Sequence, residues 1–337
     1  MRRIFVFLTI VAVLTLVYTG TIAAGGARES AQQRWRLGMV VGEPHPWMDA
    51  AHHFAQAVNE ASGGRIEVTI YGAGQLGNEN VMLSSLGDRS LDLFIGGLST
   101  MSAYTPRVGF VNMGRLFEDQ DHFERALAFG GPVDEYYRAV IEDLGSNFRV
   151  LSLTGGGLRN TSSRMPIRHL SDLQGIRMRV PNVEVAAKFW EQLGTLPVSM
   201  SFPEIYTSLQ TGVVDAFESS IPAYIGQNLY EVAPYHNKTE HEFMVSVFLM
   251  RHDLFNGLDP DLQQAVHRAG IEAGEVAMRS GVSMAEELLQ EMEALGVTIV
   301  DTDKDSFQVV AEPLQDEIAA EMGMTDLLEA IRASVAR

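Results

Sequence analysis

Residues 71–80 read YGAGQLGNEN, with Gly72, Gly74 and Gly77 in G-x-G-x-x-G spacing directly after the alternating apolar run RIEVTIY at 65–71. A dinucleotide cradle uses such glycines so that backbone amides can approach a pyrophosphate at a helix amino terminus. It also needs a packed helix of several turns after the loop, and an acid at the carboxyl end of the next strand to hold the ribose. Here the helix expected after the loop, 79–86, is short, and Asp92 falls at the beginning of the strand LDLFIGG (91–97). The stretch therefore reads as a tight turn from a strand into a helix, not as a cofactor site.

Around that turn the pattern is α/β. Alternation predicts strands at 35–41, 66–71, 91–95 and 148–153, and the apolar spacing Ala51, Phe54, Ala55, Val58 predicts a helix ended by Gly63-Gly64, so the first half reads βαβαβ. A second helical stretch, 123–144, is interrupted near Gly130-Gly131-Pro132. From Ser171 the alternation resumes: SDLQG as a short capped helix, GIRMRVPN (175–182) as strand and turn, a helix over 183–193, then Ser201 and Glu204 at capping-box spacing with Gly212 as the stop. Asp259-Pro260 opens a helical pattern that runs to Leu295. At ~1.5 Å per residue it is on the order of 50 Å long, more than one domain needs and enough to bridge two.

Composition narrows the class. Arg2 and Arg3, the apolar run 4–18 and the small residues 23–27 have the form of a secretory signal peptide, residues 1–27, and the apolar core is shorter than the ~20 residues of a spanning helix. There is no cysteine, which excludes thiolate metal sites, disulfides and a cysteine nucleophile. The remaining chain of roughly 310 residues suggests two domains. Formal net charge is −18, and loss of Arg2 and Arg3 with the signal makes it −20. Such a surface argues against nucleic acid and anionic lipid as partners, but leaves room for a small anion in a local positive pocket.

Catalytic patterns are missing. No G-x-S-x-G, H-E-x-x-H or Walker lysine occurs, and His52, His53, His236, His241 and His252 are not spaced as ligands on one helix face. No metal and no cofactor is expected. The most informative stretch is IRMRVPN, 176–182: on a strand, Arg177 and Arg179 face one side, and Pro181-Asn182 turns into the next helix. A guanidinium at a strand's carboxyl end beside a helix amino terminus is well set to hold a carboxylate. GGGLRN (155–160) adds Arg159 in a glycine-rich segment expected to cross between domains as a loop that absorbs rotation.

At these residues the chain resembles the solute-binding proteins of tripartite ATP-independent periplasmic (TRAP) transporters. The resemblance rests on GGRIEVTIYGAGQLG (63–77), the run 158–182 ending in IRMRVPN, MSFPEIYTSLQTGVVDAFE (200–218) and LDPDLQQAV (258–266), in that order. It implies a two-domain clamshell with mixed sheets and a long helix spanning both lobes: 33–156 plus 245–284 as the first, 157–244 plus 285–337 as the second. It further implies a periplasmic monomer that takes an organic anion between the lobes, delivers it to TRAP membrane permease subunits and has no enzymatic activity. By position, Arg179 resembles the arginine that forks onto the ligand carboxylate, Arg159 a second ligand-contacting arginine, Asn182 the asparagine after the strand, and Phe202 an aromatic of the cleft. Where the family commonly has Gln-Glu-Asn-Pro, this chain has Phe217, Glu218, Ser219, Ser220, so Ser219 replaces a ligand-contacting asparagine. Sialic-acid binders of the family place charged contacts where this chain has Gly97 and Thr100, which argues against that ligand. His45, Trp47 and Tyr224 are further candidates for the pocket wall, the alternative for each being an aromatic packed at a domain edge. A sugar acid, a C4 dicarboxylate, a 2-oxo acid and a 2-hydroxy acid all remain open as ligand. The competing functions are a receptor for an ATP-driven importer or sensor, and a secreted α/β hydrolase.

Overall fold

The alternating segment QRWRLG makes β1 (Gln33–Gly38), with Trp35 and Leu37 buried. The computed structural model describes residues 33–335, and the expected signal segment 1–27 lies outside them. Helix α1 (Pro46–Ala61) starts on a proline behind His45, whose ring nitrogen accepts from Trp47 N. Strand β2 (Ile66–Tyr71), helix α2 (Glu79–Gly87) and strand β3 (Leu93–Gly97) follow, and β1 pairs in parallel with both β2 and β3. This is the expected βαβαβ unit.

The glycine loop between β2 and α2 is a turn. Ala73 N donates to Val41 O (2.7 Å), Gly74 N to Met39 O (3.2 Å) and Gly77 N to Gly74 O (2.9 Å), so the amides a pyrophosphate would need are already used. Gly74 and Gly77 have φ of +66° and +100°, a region open to glycine. Asp92 accepts from Arg36 N at 2.8 Å and from Arg251 at 2.9 Å; it ties strands together.

Short 3-10 turns fill 98–112, then α3 (Gln120–Leu127) and α4 (Pro132–Glu142) sit either side of the glycine-proline break. Strand β4 (Phe148–Ser163) corrects one expectation. GGGLRN is not a loop; it continues the strand, with a register shift between Gly155 and Leu158 and a φ of +97° at Gly157. A bulge lets a strand bend without losing its ladder, and the antiparallel partner β8 supplies that ladder on both sides of the shift. The second α/β run gives β5 (Arg177–Val180), α5 (Glu184–Gln192), β6 (Leu196–Ser199), α6 (Ile205–Gln210), β7 (Ala216–Ser220), α7 (Ile221–Gly226) and β8 (Tyr235–Arg251). Then come α8 (His252–Asn256), α9 (Pro260–Glu291), β9 (Thr298–Asp301), α10 (Asp305–Met322) and α11 (Thr325–Ala333).

The strand order is β2-β1-β3-β8-β4-β7-β5-β6, with β9 beside β8. The long antiparallel pair β4–β8 thus joins two smaller α/β assemblies, one at each end. A large hydrophobic core fills the first and extends under α5, while Phe217, Tyr224, Leu229, Leu288 and Met292 belong to a separate cluster in the second. The C-terminal helix returns to the first end, where the buried His122 ring meets Ile331 O at 2.7 Å.

Helix α9, 32 residues long, lies against β4 through glycines. A Cβ on Gly270 would stand 2.7 Å from the Leu151 Cβ, at the root of that side chain, where no flexible tip can move aside. Gly270→Val should therefore lower stability by about 1–3 kcal/mol through overpacking, seen as a lower urea midpoint at unchanged slope.

Candidate functional site

A cavity of about 620 Å³ opens where the two assemblies face each other. Its wall takes His45, Trp47, Glu79, Thr100 and Asn112 from the amino-terminal assembly, and Arg159, Arg179, Asn182, Phe202 and Ser219 from β4, β5, β7 and the segments that follow β5 and β6.

Arg177 and Arg179 share a face of β5, as alternation requires, yet their fates differ. Arg177 is spent on Asp215 (2.6 Å) at the surface, whereas Arg179, at the strand's carboxyl end, is 3% exposed. Its Nε and Nη2 both donate to Met200 O, at 3.1 and 2.8 Å. That uses the Nε–Nη2 edge of the guanidinium and leaves the Nη1–Nη2 edge, which can also meet a carboxylate in parallel fashion; Glu218 Oε1 stands 3.8 Å from its Nη1. Burial pulls its pKa down to about 10, so it stays charged at neutral pH.

Arg159 stands on β4 opposite Ser220 of β7 and Glu242 of β8, with Glu218 on the diagonal. Its Nε donates to Glu218 Oε2, and its Nη2 donates to Glu218 O at 3.1 Å. Glu242 Oε1 lies 3.9 Å from the same Nε and accepts from Asn112 Nδ2 at 2.9 Å. Burial works against the charge of Arg159, but the two carboxyl groups beside it more than offset that and hold its pKa above the usual arginine value. Burial would likewise raise Glu218; Arg159 and the His241 ring overcome it and keep this carboxylate ionised. Glu242 goes the other way, because burial dominates there and Glu218 repels a second negative charge.

The remaining sequence candidates divide. His45 is buried and its pKa falls to about 3 by desolvation, so a neutral imidazole faces the cavity. Trp47 is fixed by Nε1 donating to Ser246 Oγ at 3.1 Å. Asn182 is exposed and Phe202 half-buried on the wall, and Ser219 is buried there. Glu218 lies behind the wall as the partner of Arg159. Tyr224 is not on the wall: its hydroxyl donates to Ala233 O at 2.8 Å and its ring packs beside Phe217 and Tyr230, the domain-edge alternative. Sequence reasoning missed Glu79, Asn112, His241 and Glu242. Glu79 begins α2 and receives Gly97 N at 3.2 Å; a glutamate in a first turn signals a helix start and nothing more. Glu242 has no such local signal: Lys238 and Glu240, which share its alternation on β8, are half-buried, and it is the register shift between Arg159 and Thr161 on the ladder that leaves Glu242 buried opposite Arg159.

Among the described residues, Glu218, His241 and Glu242 form the single grouping of potential metal donors. The Arg159 guanidinium lies against both carboxyl groups, so the cation these residues hold is the arginine itself.

Residues 37–322 match the family described as bacterial extracellular solute-binding protein, family 7. The chain belongs to that family. A relative, a solute-binding protein of Sulfitobacter sp. (strain NAS-14.1), is 31% identical over 296 residues, covering 86% of this chain and 88% of its own. The fold is that of TRAP periplasmic solute-binding proteins. A crystal structure of one from the same Sulfitobacter strain with bound alpha-D-taluronate is 30% identical, with a TM-score of 0.84 over 89% of this chain and 97% of that one. Another from that strain, with bound beta-D-galacturonate, is 26% identical, with a TM-score of 0.82 over 89% and 100%. No helix among the described residues is long and apolar enough to cross a membrane.

Proposed function

We propose that this chain is the exported, periplasmic solute receptor of a TRAP transporter, a monomer without enzymatic activity that clamps a sugar acid between two lobes and delivers it to the membrane permease. The observation that carries this is Arg179, buried in the cavity wall with one edge anchored on Met200 O and the Nη1–Nη2 edge left over for a carboxylate. A carboxylate forked onto that edge replaces the water lost by both ions, which is the condition for a buried pair to be favourable. Asn182, Ser219, Thr100 and Glu79 around the same cavity suit the hydroxyls of a polyol acid better than the bare chain of a C4 dicarboxylate or lactate-like acid. The bound taluronate and galacturonate of the two relatives support the same ligand class.

We take the lobes as 33–156 with 245–284 and 157–244 with 285–337, divided near the bulge of β4, with the final helix reaching back to the first lobe. Closure then needs a ligand that touches both, the arginines from one side and His45, Trp47 or Glu79 from the other. A thermal-shift panel of hexuronates, aldonates, succinate, pyruvate and lactate tests this. A hexuronate or aldonate should raise the melting point most, since ligand at 100 times Kd adds about 2.7 kcal/mol, and the acid should be recovered chemically unchanged after long incubation. A panel in which no acid shifts the melting point, or in which the acid is consumed, would end this reading.

A further inference from the structure

Two carboxyl groups share one guanidinium at the back of the cavity, and only one of them is bonded to it. Glu218 takes the Nε of Arg159, has Arg179 Nη1 3.8 Å from its Oε1 and has the His241 ring 3.7 Å from its Oε2. Glu242, directly opposite Arg159 across the β4–β8 ladder, is 6% exposed and has one hydrogen bond, from Asn112. Asn112 is itself part of the cavity wall, so a single side chain separates Glu242 from the space the cargo would fill. If both glutamates were ionised, the two arginines would be neutralised and an arriving anion would find no net positive charge. With one glutamate protonated, this cluster of two arginines and two glutamates carries one positive charge for the anion to balance.

We propose that Glu242 links anion capture to proton capture: as the cargo carboxylate settles on Arg179, a proton from solvent water is held on the Glu242 carboxyl, so that charge in the wall stays balanced. The proton resides on the oxygen not engaged by Asn112, and no covalent bond to cargo forms. This rests on the receptor reading above.

The other groups that face the cluster give it this direction. Burial pushes the Glu242 carboxyl up to about 8, with Glu218 adding repulsion and Arg159 and Asn112 pulling back. His241, on the same strand, is lowered by burial and stays neutral, so it does not supply the counter-charge. Arg179 of β5 and Arg159 of β4 stay charged throughout. Across the cavity, Glu79 of α2 is also raised by burial, held back by the Gly97 amide and Thr100, and is the other acid able to take a proton. A second negative charge within the wall is what an arriving anion penalises; protonating Glu242 removes it.

Calorimetry with D-galacturonate in buffers of different ionisation heat reads the proton directly. The wild-type protein should take up roughly half a proton or more per ligand at pH 8.5 and close to none at pH 6.5, and its affinity should fall up to about tenfold from pH 8 to pH 9. Glu242→Gln, which keeps an acceptor for Asn112, should lose both the uptake and the decline. Without ligand, the melting point of Glu242→Gln relative to wild type should climb by several degrees from pH 5 to pH 9. The sign follows because a carboxyl raised on folding stabilises below its unfolded value near 4.3 and loses that contribution as pH rises through its folded value. No uptake in the wild type, uptake that survives Glu242→Gln, or uptake that disappears in Glu79→Gln instead would overturn the proton link. A protein that binds neither D-galacturonate nor any acid of the panel would overturn the receptor reading itself.

Discussion

Arg179→Ala should weaken binding of the acid that gives the largest thermal shift by at least ~100-fold. The fork it removes is charge-assisted and buried, and the ligand carboxylate would enter the same dry cavity with no partner, a loss of about 3 kcal/mol or more. Arg179→Lys separates charge from geometry. The lysine keeps a positive charge but can neither bridge Met200 O through two nitrogens nor present a planar edge, so it should bind better than alanine and well short of wild type. The ligand-free melting point of each variant checks that the wall still folds. Isothermal titration of the alanine variant giving an affinity within threefold of wild type would remove Arg179 from the site.

What was legible in the sequence and what was not follows the range of the interactions involved. The βαβαβ unit, the long α9 and the strand holding Arg179 are written in local periodicity, and a cap or a proline marks their ends. The glycine fingerprint was resolved locally too, by a short helix and a misplaced acid, and the structure adds that the loop amides are occupied. The run GGGLRN misled because three glycines are the usual mark of a loop, whereas here the neighbouring strands β7 and β8 hold the chain extended on both sides of Arg159. Tyr224 depended on which way a ring turns within α7, and packing against Phe217 decided that. Glu242 was the least legible of all. It is one acid in a chain with 43 acidic residues, and its distinction comes from a ladder register between strands about eighty residues apart.

Arg159→Ala should cost stability more than it costs any single contact. It strands Glu218, 2% exposed, as an ionised group whose remaining neighbours are a neutral imidazole, the Glu242 carboxyl and an arginine 3.8 Å away. Breaking one side of a buried pair costs about 3–5 kcal/mol, and chemical denaturation of the ligand-free protein should show a loss of that order. The pH dependence gives the cause its signature. In the wild type, Arg159 holds Glu218 below the unfolded carboxylate value, so that group stabilises above pH ~4.3 and the contribution disappears as pH falls through its lowered folded value. In the alanine variant burial is no longer opposed by Arg159, the folded carboxyl shifts upward, and the same group destabilises as pH rises. Lowering pH from 7 to 5 should therefore rescue Arg159→Ala relative to wild type. Replacing both partners, Arg159→Leu with Glu218→Leu, should recover a large part of the loss, because an apolar pair leaves no uncompensated charge. A single variant within 1 kcal/mol of wild type, or a double variant no more stable than the single, would mean that the pair is not what holds this wall together.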